Sequence, residues 1–474
     1  MSTTTVLAID LGTQSMRLCA MRLSGERLWS WSSPIDSRIE GEVFEQSPAQ
    51  WQASLLEGLD AAASAGIRPD ALIASGPLAG YVPLDAQGQA LANASMYSDR
   101  RSALDAERML QSLTSKPPLR VIASDPLPHW LRLQRECPAI AQQTRSFLDA
   151  TGWLNFFLSG QSTLNAYTAM RLYSPELRRE AGAQTAPFGR PVATGETLGH
   201  LRSALAQRWG WAEAPILAAP FDSKCAYIGS GIEAPGEATD ISGTVTSFGV
   251  ISSTPVDDRL QRIYSVPFGP HWLVRGSTAC AGSALEWARQ QWFPQSFEAL
   301  DAAAASVPPG AHGLTFLPYL AGERAPLWNP HARGALLGLS LGNTNADMVR
   351  AVYEGLALSL FHITDTMREC GVEIRSIRLA GGLARNPLIC QIKADVLGVP
   401  VVQLSDHELT TAGLGVIAAT ALGACATHAQ ASQRFTATAR RFDPDPQTQL
   451  AYAQPKRRYL ASAQALAPLF TAPA

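Results

Sequence analysis

Two short glycine turns, each entered by a strand-like run, constrain this chain more than any other sequence feature. The first turn lies in the stretch VLAIDLGTQSMRLCAM, residues 6–21. Its apolar run at residues 6–9 ends at Asp10, turns at Gly12, and is followed by an alternating run at residues 16–21. This pattern predicts a β-hairpin. We call residues 12–15 the first turn.

The composition of the first turn favours phosphate binding. Glycine can adopt backbone angles closed to other residues, so backbone N–H groups can converge on an anion. We expect a polyphosphate to contact Gly12, Thr13, Gln14, Ser15 and Arg17. Asp10 could hold the hydrated Mg²⁺ that accompanies a polyphosphate, because Mg²⁺ prefers one or two carboxylates plus waters. Asp-x-Gly is also ordinary hairpin chemistry, and this alternative stays open for the first turn alone.

A second copy of the turn occurs in the other half of the chain. Residues 243–246, the second turn, repeat the Gly-Thr-x-hydroxyl pattern and again precede an alternating strand-like run. We predict that Gly243 and Thr244 contact phosphate as well. Two such loops in two halves suggest two domains that grip one ligand from opposite sides. Chance similarity of four residues is the alternative.

The bulk composition limits the class of protein. A chain of 474 residues that is 46% hydrophobic can form two or three domains, each with its own core. A formal net charge of −2 gives no electrostatic case for nucleic acid or an anionic membrane as partner. None of the lysines follows a glycine, so a Walker A loop is absent and bound ATP would need another device.

Signals for export, membrane insertion or a structural metal are also missing from the sequence. The N-terminus lacks a basic segment followed by an apolar one, and no window approaches the roughly 18 apolar residues of a membrane span. We therefore expect a soluble cytoplasmic protein. The seven cysteines include no Cys-x-x-Cys pair, which argues against a disulfide framework or structural zinc.

Two acidic positions and one aromatic have the chemistry of a sugar site. Tyr97 and Asp99 could bind a polyol, since a carboxylate accepts hydroxyl protons and a ring covers the C–H face. Asp99 could instead cap a helix that begins near Arg101. Asp222 ends an apolar run and precedes a predicted helix at residues 223–228, so it could be either a cleft carboxylate or an N-cap.

A glycine pair in the second half suggests a surface for a purine. A strand-like run at residues 377–380 ends in Gly381 and Gly382, where a base would meet backbone and not side chains. Asn386 before Pro387 is a strong N-cap and N1 signature for the next helix. We expect Asn386 to cap that helix and contact adenosine together.

In this order, the segments resemble the FGGY family of carbohydrate kinases over about residues 5–425. The motifs that carry the resemblance are Asp10-Leu11-Gly12-Thr13, Glu45-Gln46-Ser47-Pro48 with Trp51, Asp222 followed by Gly229-Ser230-Gly231, Ser242-Gly243-Thr244, Phe316-Leu317-Pro318-Tyr319, Gly322-Glu323-Arg324 with Pro326, and Gly381-Gly382 with Asn386. The resemblance implies an α/β fold of two RNase H-like domains, as in actin, hexokinase and the Hsp70 ATPase, around an interdomain ATP cleft.

The resemblance also implies individual roles. Asp222 would be the catalytic base and would contact the substrate, and Gly282 would contact the nucleotide, although it could equally be a helix-start glycine. Leu78 and Ala79 occupy the substrate loop that carries a Met-His pair in FGGY xylulose kinases. Because a hydrogen-bonding imidazole is missing there, xylulose as the specific substrate is in doubt.

These observations predict an N-terminal domain at residues 1–235, mainly for sugar, and a C-terminal domain at 236–430, mainly for nucleotide. A helical tail at 431–474 would follow. The predicted reaction is Mg²⁺- and ATP-dependent phosphorylation of a terminal hydroxyl of a ketose or polyol. Members of the family are often dimers, so a homodimer is one candidate state.

Three alternatives stay open at this point. A catalytically weak sugar-binding regulator fits the altered loop at Leu78 and Ala79. An actin- or Hsp70-like ATPase would share the two turns without the sugar-loop acids. A hydrolase that uses Ser340, within the Gly-x-Ser-x-Gly pattern of residues 338–342, is disfavoured because no helix follows directly.

Overall fold

The computed structural model describes residues 3–114, 121–172, 174–405 and 408–471. The backbone separates into two compact units. The first unit comprises Met1–Gly231 and Leu409–Phe435, and the second comprises Ile232–Glu408 and Thr436–Ala474. The chain therefore leaves the first unit after Gly231, four residues before the predicted boundary at residue 235. It returns to that unit for two helices, which the predicted domain division did not anticipate.

The described elements follow in chain order. The strands before residue 231 are β1 (Thr5–Leu11), β2 (Ser15–Arg22), β3 (Arg27–Pro34), β4 (Arg38–Glu40), β5 (Val43–Gln46), β6 (Ala71–Ser75), β7 (Ala79–Leu84), β8 (Ala94–Met96), β9 (Ser146–Leu148), β10 (Thr163–Asn165), β11 (Arg190–Val192), β12 (Thr197–His200) and β13 (Pro215–Ala218). The helices there are α1 (Pro48–Ser64), α2 (Ala103–Ser112), α3 (Pro126–Glu136), α4 (Pro138–Gln143), α5 (Ala150–Ser159), α6 (Ala166–Met170), α7 (Pro175–Glu180), α8 (Ser203–Trp209) and α9 (Asp222–Gly229).

The remaining elements belong to the second half of the chain. The strands are β14 (Glu237–Ser242), β15 (Thr246–Ser252), β16 (Tyr264–Phe268), β17 (His271–Ser277), β18 (Thr315–Leu317), β19 (Ala335–Leu337), β20 (Ser376–Ala380), β21 (Val401–Leu404) and β22 (Thr438–Phe442). The helices are α10 (Gly282–Gln291), α11 (Phe297–Ala305), α12 (Asn345–Glu369), α13 (Pro387–Leu397), α14 (Leu409–Ala421), α15 (His428–Phe435), α16 (Pro446–Ala451) and α17 (Ala453–Leu466).

The main sheets of the two units repeat one topology. In the first unit the strand order is β12-β13-β6-β1-β2-β3, with β1, β6 and β13 parallel and the other neighbours antiparallel. In the second unit β22-β21-β20-β14-β15-β17 follows the same order and the same directions, and β16 adds an outer edge. The repeated turns therefore belong to repeated hairpins, β1–β2 and β14–β15. The predicted α/β fold of two RNase H-like domains is confirmed.

Local sequence signals explain the element boundaries nearest the site. Ser47 caps α1 by accepting the Gln50 N–H, and Pro48 occupies the first helical position. Thr344 and Asp347 form a capping box at the start of α12, the long buried helix of the second unit. The fully buried runs of β1 and β6 are typical of parallel strands covered on both faces.

Helix α14 joins the first unit by close backbone contact with α9. A Cβ atom added to Gly413 would lie 1.9 Å from the carbonyl oxygen of Cys225, and one added to Gly229 would lie 2.1 Å from that of Leu409. Only glycine allows the two helix backbones to approach so closely. This contact, which periodicity does not reveal, explains why residues 409–435 pack with the first unit.

We expect Gly413→Ala to lower the free energy of unfolding by about 3 kcal/mol, the upper range for overpacking, because the new Cβ meets rigid backbone. Urea unfolding followed by circular dichroism measures the change. Gly342→Ala is the matched control, since its added Cβ comes no closer than 3.9 Å to Ser340 Oγ. Equal unfolding midpoints for the two variants would contradict the packing account.

The C-terminal segment completes the core of the second unit. The Tyr452 hydroxyl accepts a hydrogen bond from Arg350 at 2.8 Å and donates one to Glu354 at 3.0 Å. Arg458 on α17 donates to Thr315 Oγ1 at 2.7 Å. Residues 436–471 are therefore an integral part of this unit and not a loose tail.

Within the described parts of the chain, we find no helix with the length and apolar character that crossing a membrane requires.

Candidate functional site

The first turn closes as a tight β-hairpin. Its strands pair Asp10 with Arg17 and Leu11 with Met16, and the Gly12 N–H donates to the Ser15 carbonyl at 2.8 Å. Gly12 does not adopt the left-handed backbone region, so its glycine identity reflects close approach, since an added Cβ would lie 3.1 Å from Ser15 O. Its N–H is also already used within the turn. Thr13, Gln14 and Ser15 are at least partly exposed and could still bind an anion.

A buried glutamine from another segment of the chain forms a hydrogen bond with the backbone of the first turn. Gln46 Nε2 donates to the Thr13 carbonyl at 2.7 Å and to Ser37 Oγ at 2.9 Å. The Gln46 Oε1 accepts from Trp51 Nε1 at 3.0 Å, which fixes the orientation of the amide. Gln46 lies in one of the family-like segments, but its residue type alone does not indicate a site residue.

The two predicted carboxylates of the first unit lie at the same edge of its main sheet. Asp10 is in register with Ser75 at the end of β6, and β13 runs parallel beside β6. The Asp222 N–H donates to the Gly76 carbonyl at 2.8 Å, so the start of α9 is bonded to the segment after β6. The buried Cys225 lies close enough to both carboxylates to feel their charges. Burial chiefly raises the pKa of its thiol, and the charges of Asp10 and Asp222 raise it further.

Asp222 is the first residue of α9, and the N-cap of that helix is Phe221. The Ser223 N–H donates to Asp222 Oδ1 at 2.5 Å. The N-cap alternative from sequence therefore does not describe this residue. Asp222 is partly exposed at the helix N-terminus, where the helix dipole favours a negative charge. It is thus a partly accessible carboxylate.

Asp99 is buried and its carboxylate already has partners within the first unit. It is 1% exposed, and its carboxylate accepts hydrogen bonds from Arg101 Nε at 3.0 Å and from the Phe44 N–H at 3.2 Å. Arg101 also binds Glu45 at 2.6 Å. Because the oxygens of Asp99 already hold Arg101, a sugar contact by Asp99 would need an exchange of partners. Helix α2 begins at Ala103, so Asp99 is not its N-cap either.

Three other predicted substrate residues lie where β7 and β8 pair, since Ala79 is paired with Met96. Tyr97 is 38% exposed and meets Phe44 edge to face, with ring centroids 5.4 Å apart. Ala79 is buried with φ of +69° at an irregularity between β7 and β8, and Leu78 beside it is partly buried. Tyr97 and Leu78 are therefore the accessible side chains among these three residues.

In the second unit, three predicted nucleotide glycines converge. The Gly282 N–H donates to the Gly243 carbonyl at 2.9 Å, and a Cβ on Gly282 would lie 2.7 Å from that oxygen. Gly381 has φ of +89°, and its Cβ would lie 2.5 Å from the Ser242 carbonyl. Thr244 accepts at its carbonyl from the Ala281 N–H at 2.9 Å. The glycines at 282 and 381 are thus needed to pack two loops against the second turn.

Gly243 and Gly382, the residue after Gly381, border open space. Neither Gly243 nor Gly382 would bring an added Cβ within 4 Å of another atom. A ligand could therefore approach the backbone at these two positions. The arrangement fits the expectation that phosphate and purine meet main chain here, but Gly381 itself is explained by packing on Ser242.

A buried ion pair supports the second turn. Lys393 Nζ on α13 donates to Asp240 Oδ2 at 2.5 Å and to Ser242 Oγ at 2.8 Å. Ser242 Oγ in turn lies 3.0 Å from Thr246 Oγ1. Lys393 and Asp240 are 2% and 0% exposed at their side chains. The pair therefore fixes both ends of the turn without exposing a charge.

Asn386 caps α13 as predicted, because its Oδ1 accepts the Ile389 N–H at 3.0 Å. Its amide Nδ2 donates to Asp301 at 2.5 Å, and Asp301 also accepts from the Tyr353 hydroxyl. Both ends of the Asn386 side chain are therefore engaged within the second unit. Its contact with adenosine stays a prediction.

The residues present fit a weakly chelated magnesium better than a dedicated metal cage. Among the described residues, no three His, Cys, Asp or Glu side chains cluster in a way that could hold a metal. Asp10 offers one carboxylate that is 3% exposed, with Arg17 at 3.8 Å. Mg²⁺ commonly keeps several waters and takes one or two carboxylates plus substrate phosphates. Asp10 is thus the candidate magnesium ligand of the first unit.

Comparison with known proteins supplies a family match over most of the chain. The model for the N-terminal domain of the FGGY family of carbohydrate kinases matches residues 5–229, and the model for the C-terminal domain matches residues 239–422. The interval between the two matches, residues 230–238, contains the predicted domain boundary between residues 235 and 236. The second match includes α14, which packs with the first unit.

Curated relatives and solved structures agree with this match. The chain is 29% identical to a xylulose kinase of Staphylococcus epidermidis over 95% of this chain and 94% of that protein. It is 30% identical to a glycerol kinase of Geobacter sp. over 94% and 95% of the two chains. The xylulose kinase structure of Rhodospirillum rubrum is similar with a TM-score of 0.89 at 25% identity, over 98% of this chain and 99% of that chain.

Proposed function

Because the chain belongs to the FGGY family of carbohydrate kinases, we propose that it transfers the γ-phosphoryl group of ATP to a terminal hydroxyl of a ketose or polyol, with Asp222 as general base. The observation that carries the assignment of the base is its position. Asp222 is a partly exposed carboxylate at a helix N-terminus, at the sheet edge that also holds Asp10.

The chemistry asked of Asp222 is limited. Phosphoryl transfer has a loose transition state, so the protein mainly aligns the acceptor oxygen and neutralises charge. Asp222 would accept the hydroxyl proton as the new P–O bond forms. Asp222 is partly exposed in the first turn of α9, where the helix dipole favours the negative charge that a general base carries.

The nucleotide assignment rests on the second unit. The open backbone at Gly243 and Gly382 would admit phosphate and purine, and Thr244 would add a hydroxyl donor. In the first unit, Thr13, Gln14 and Ser15 would contact phosphate oxygens. Asp10 would hold Mg²⁺, which neutralises phosphate charge when bound. The acceptor alcohol would then bind beside Asp222.

The acceptor class follows from the relatives and from the local residues. The curated relatives are named xylulose kinase and glycerol kinase, which act on a ketose and a polyol. Tyr97 would cover the C–H face of such a substrate. Leu78 and Ala79 provide no imidazole, so we propose a ketose or polyol other than xylulose as the preferred acceptor.

A coupled assay of ADP release tests the proposal. We expect ADP release to need both Mg²⁺ and one member of a panel of ketopentoses, ketohexoses and polyols, and to stop when EDTA removes the metal. Removal of the sugar from the same reaction is the control. ADP release without any sugar would favour an actin- or Hsp70-like ATPase, and sugar binding without turnover would favour a regulator.

A further inference from the structure

Glu323 is a buried carboxylate in the second unit to which the proposed reaction gives no role. It lies in the segment Gly322-Glu323-Arg324 with Pro326 and is 4% exposed. A carboxylate buried to this degree is costly unless its oxygens are well bonded. The partners of Glu323 therefore indicate what the residue does.

The carboxylate of Glu323 accepts from three donors on three segments. Its Oε1 accepts the N–H groups of Ala279 and Arg324, each at 2.7 Å. Its Oε2 accepts from Ser359 Oγ on α12 at 3.4 Å. Of these, the Ala279 bond reaches furthest along the chain, because it ties Glu323 to the loop of residues 278–282 between β17 and α10.

The 278–282 loop is bonded in turn to the second turn. The Thr278 N–H donates to the Thr246 carbonyl at 3.0 Å, and the Thr246 N–H donates to Thr278 Oγ1 at 3.1 Å. The Ala281 and Gly282 N–H groups donate to the Thr244 and Gly243 carbonyls, both at 2.9 Å. A shift of Ala279 would therefore move the backbone that the nucleotide is proposed to contact.

Charged and titratable groups face Glu323 from each element packed around it. Arg324 provides the nearby cation, and burial together with the charge of Glu323 raises the pKa of Tyr319, of Tyr459 and of Cys280 in the 278–282 loop. Burial raises the pKa of Glu323 to about 7, and the hydrogen bonds from Ala279 and Arg324 partly oppose that shift. Ionised and protonated forms are thus both accessible near neutral pH.

We propose that Glu323 is a positioning residue whose ionised carboxylate holds the 278–282 loop against the second turn and so strengthens nucleotide binding. The inference rests on the proposed nucleotide site but does not depend on the identity of the sugar. A carboxylate is a stronger acceptor for the Ala279 N–H than a neutral carbonyl oxygen. Affinity should therefore be higher above the pKa of Glu323 than below it.

Isothermal titration calorimetry with Mg-ADP tests the proposal on the full chain without turnover. For the wild type we expect the Kd to rise about fivefold when the pH falls from about one unit above the pKa of Glu323 to about one unit below it. This factor corresponds to the difference in strength between a charge-assisted and a neutral hydrogen bond. Glu323→Gln keeps the shape and the acceptor oxygen but cannot ionise. Its Kd should stay near the low-pH value of the wild type at both pH values.

The number of protons released when Mg-ADP binds provides a second measurement. A residue that only fills space would not change this number. If binding favours the ionised form, the wild type should release more protons near pH 7 than Glu323→Gln, as measured in buffers of different ionisation enthalpy. Glu373→Gln is the matched control, since that side chain is 72% exposed, and it should behave as the wild type.

The possible results separate this proposal from the proposed function. Equal Kd values and equal proton release for the wild type and Glu323→Gln would overturn the role of Glu323 and leave the kinase proposal intact. A wild type that does not bind Mg-ADP at any pH would overturn both. A lower affinity of Glu323→Gln above the transition, with convergence below it, is the expected result.

Discussion

Replacing Asp222 by asparagine is expected to lower kcat by about 10²–10⁴-fold, which is the usual worth of general-base assistance. Asparagine keeps the Asp222 N–H that donates to Gly76 and an oxygen that can accept the Ser223 N–H. The fold and the affinity for Mg-ATP should therefore stay close to those of the wild type. Steady-state kinetics and calorimetric titration of Mg-ATP measure the two quantities.

The control for this substitution is Asp85→Asn. Asp85 Oδ1 accepts the Gln87 N–H in an exposed turn of the same unit, a bond that an asparagine oxygen can also make. We expect its kcat to match that of the wild type. If Asp222→Asn kept full activity, Asp222 would not be the base, whatever the fold.

Lys393→Met is expected to cost about 3–5 kcal/mol of unfolding free energy, because it leaves the charge of Asp240 buried without its cation. The substitution also removes the hydrogen bond of 2.8 Å from Lys393 to Ser242 Oγ. Urea unfolding gives the magnitude. The double variant with Asp240→Asn should recover part of the loss, since it removes the uncompensated charge.

Lys456→Met provides the matched control for that experiment. Lys456 belongs to the same unit, and its Nζ lies 5.1 Å from the ring centroid of Phe361, a contact worth about 0.5–1 kcal/mol. A loss for Lys393→Met no larger than this control would contradict the view that the ion pair supports the second turn.

The sequence alone predicted the repeated hairpins and their place in the fold. The alternation around Asp10 and the Gly-Thr pattern at Gly12 and Gly243 are local signals, and each gave a strand pair at the expected position. The cap at Asn386 also lies where expected, because cap preferences are local too.

Properties that depend on distant packing could not be predicted in this way. The glycine at 381 was assigned to a purine, whereas its positive φ and the nearby Ser242 carbonyl already require it. The return of residues 409–435 to the first unit depends on Gly413 meeting Cys225, which are 188 residues apart by their numbers. Hydrophobic periodicity carries no information on such a partner.

The same limit applies to the site. Asp99 was expected to accept sugar hydroxyls, but Arg101 and Phe44 occupy its oxygens. Gln46 binds the backbone of the first turn, 33 residues away in sequence. Glu323 binds the backbone of the 278–282 loop beside the second turn, 44 residues away. Both residues lie in segments that resemble the family, and that resemblance was the only signal that could have identified them.

The central claim is that the chain couples ATP cleavage to phosphorylation of a sugar or polyol through Asp222. Phosphorus NMR of one reaction that contains Mg-ATP and the best acceptor of the panel measures ADP and sugar phosphate together. We predict equal amounts of the two products with the wild type and a large loss of both with Asp222→Asn. ADP without a phosphorylated acceptor, or unchanged product with Asp222→Asn, would contradict the account.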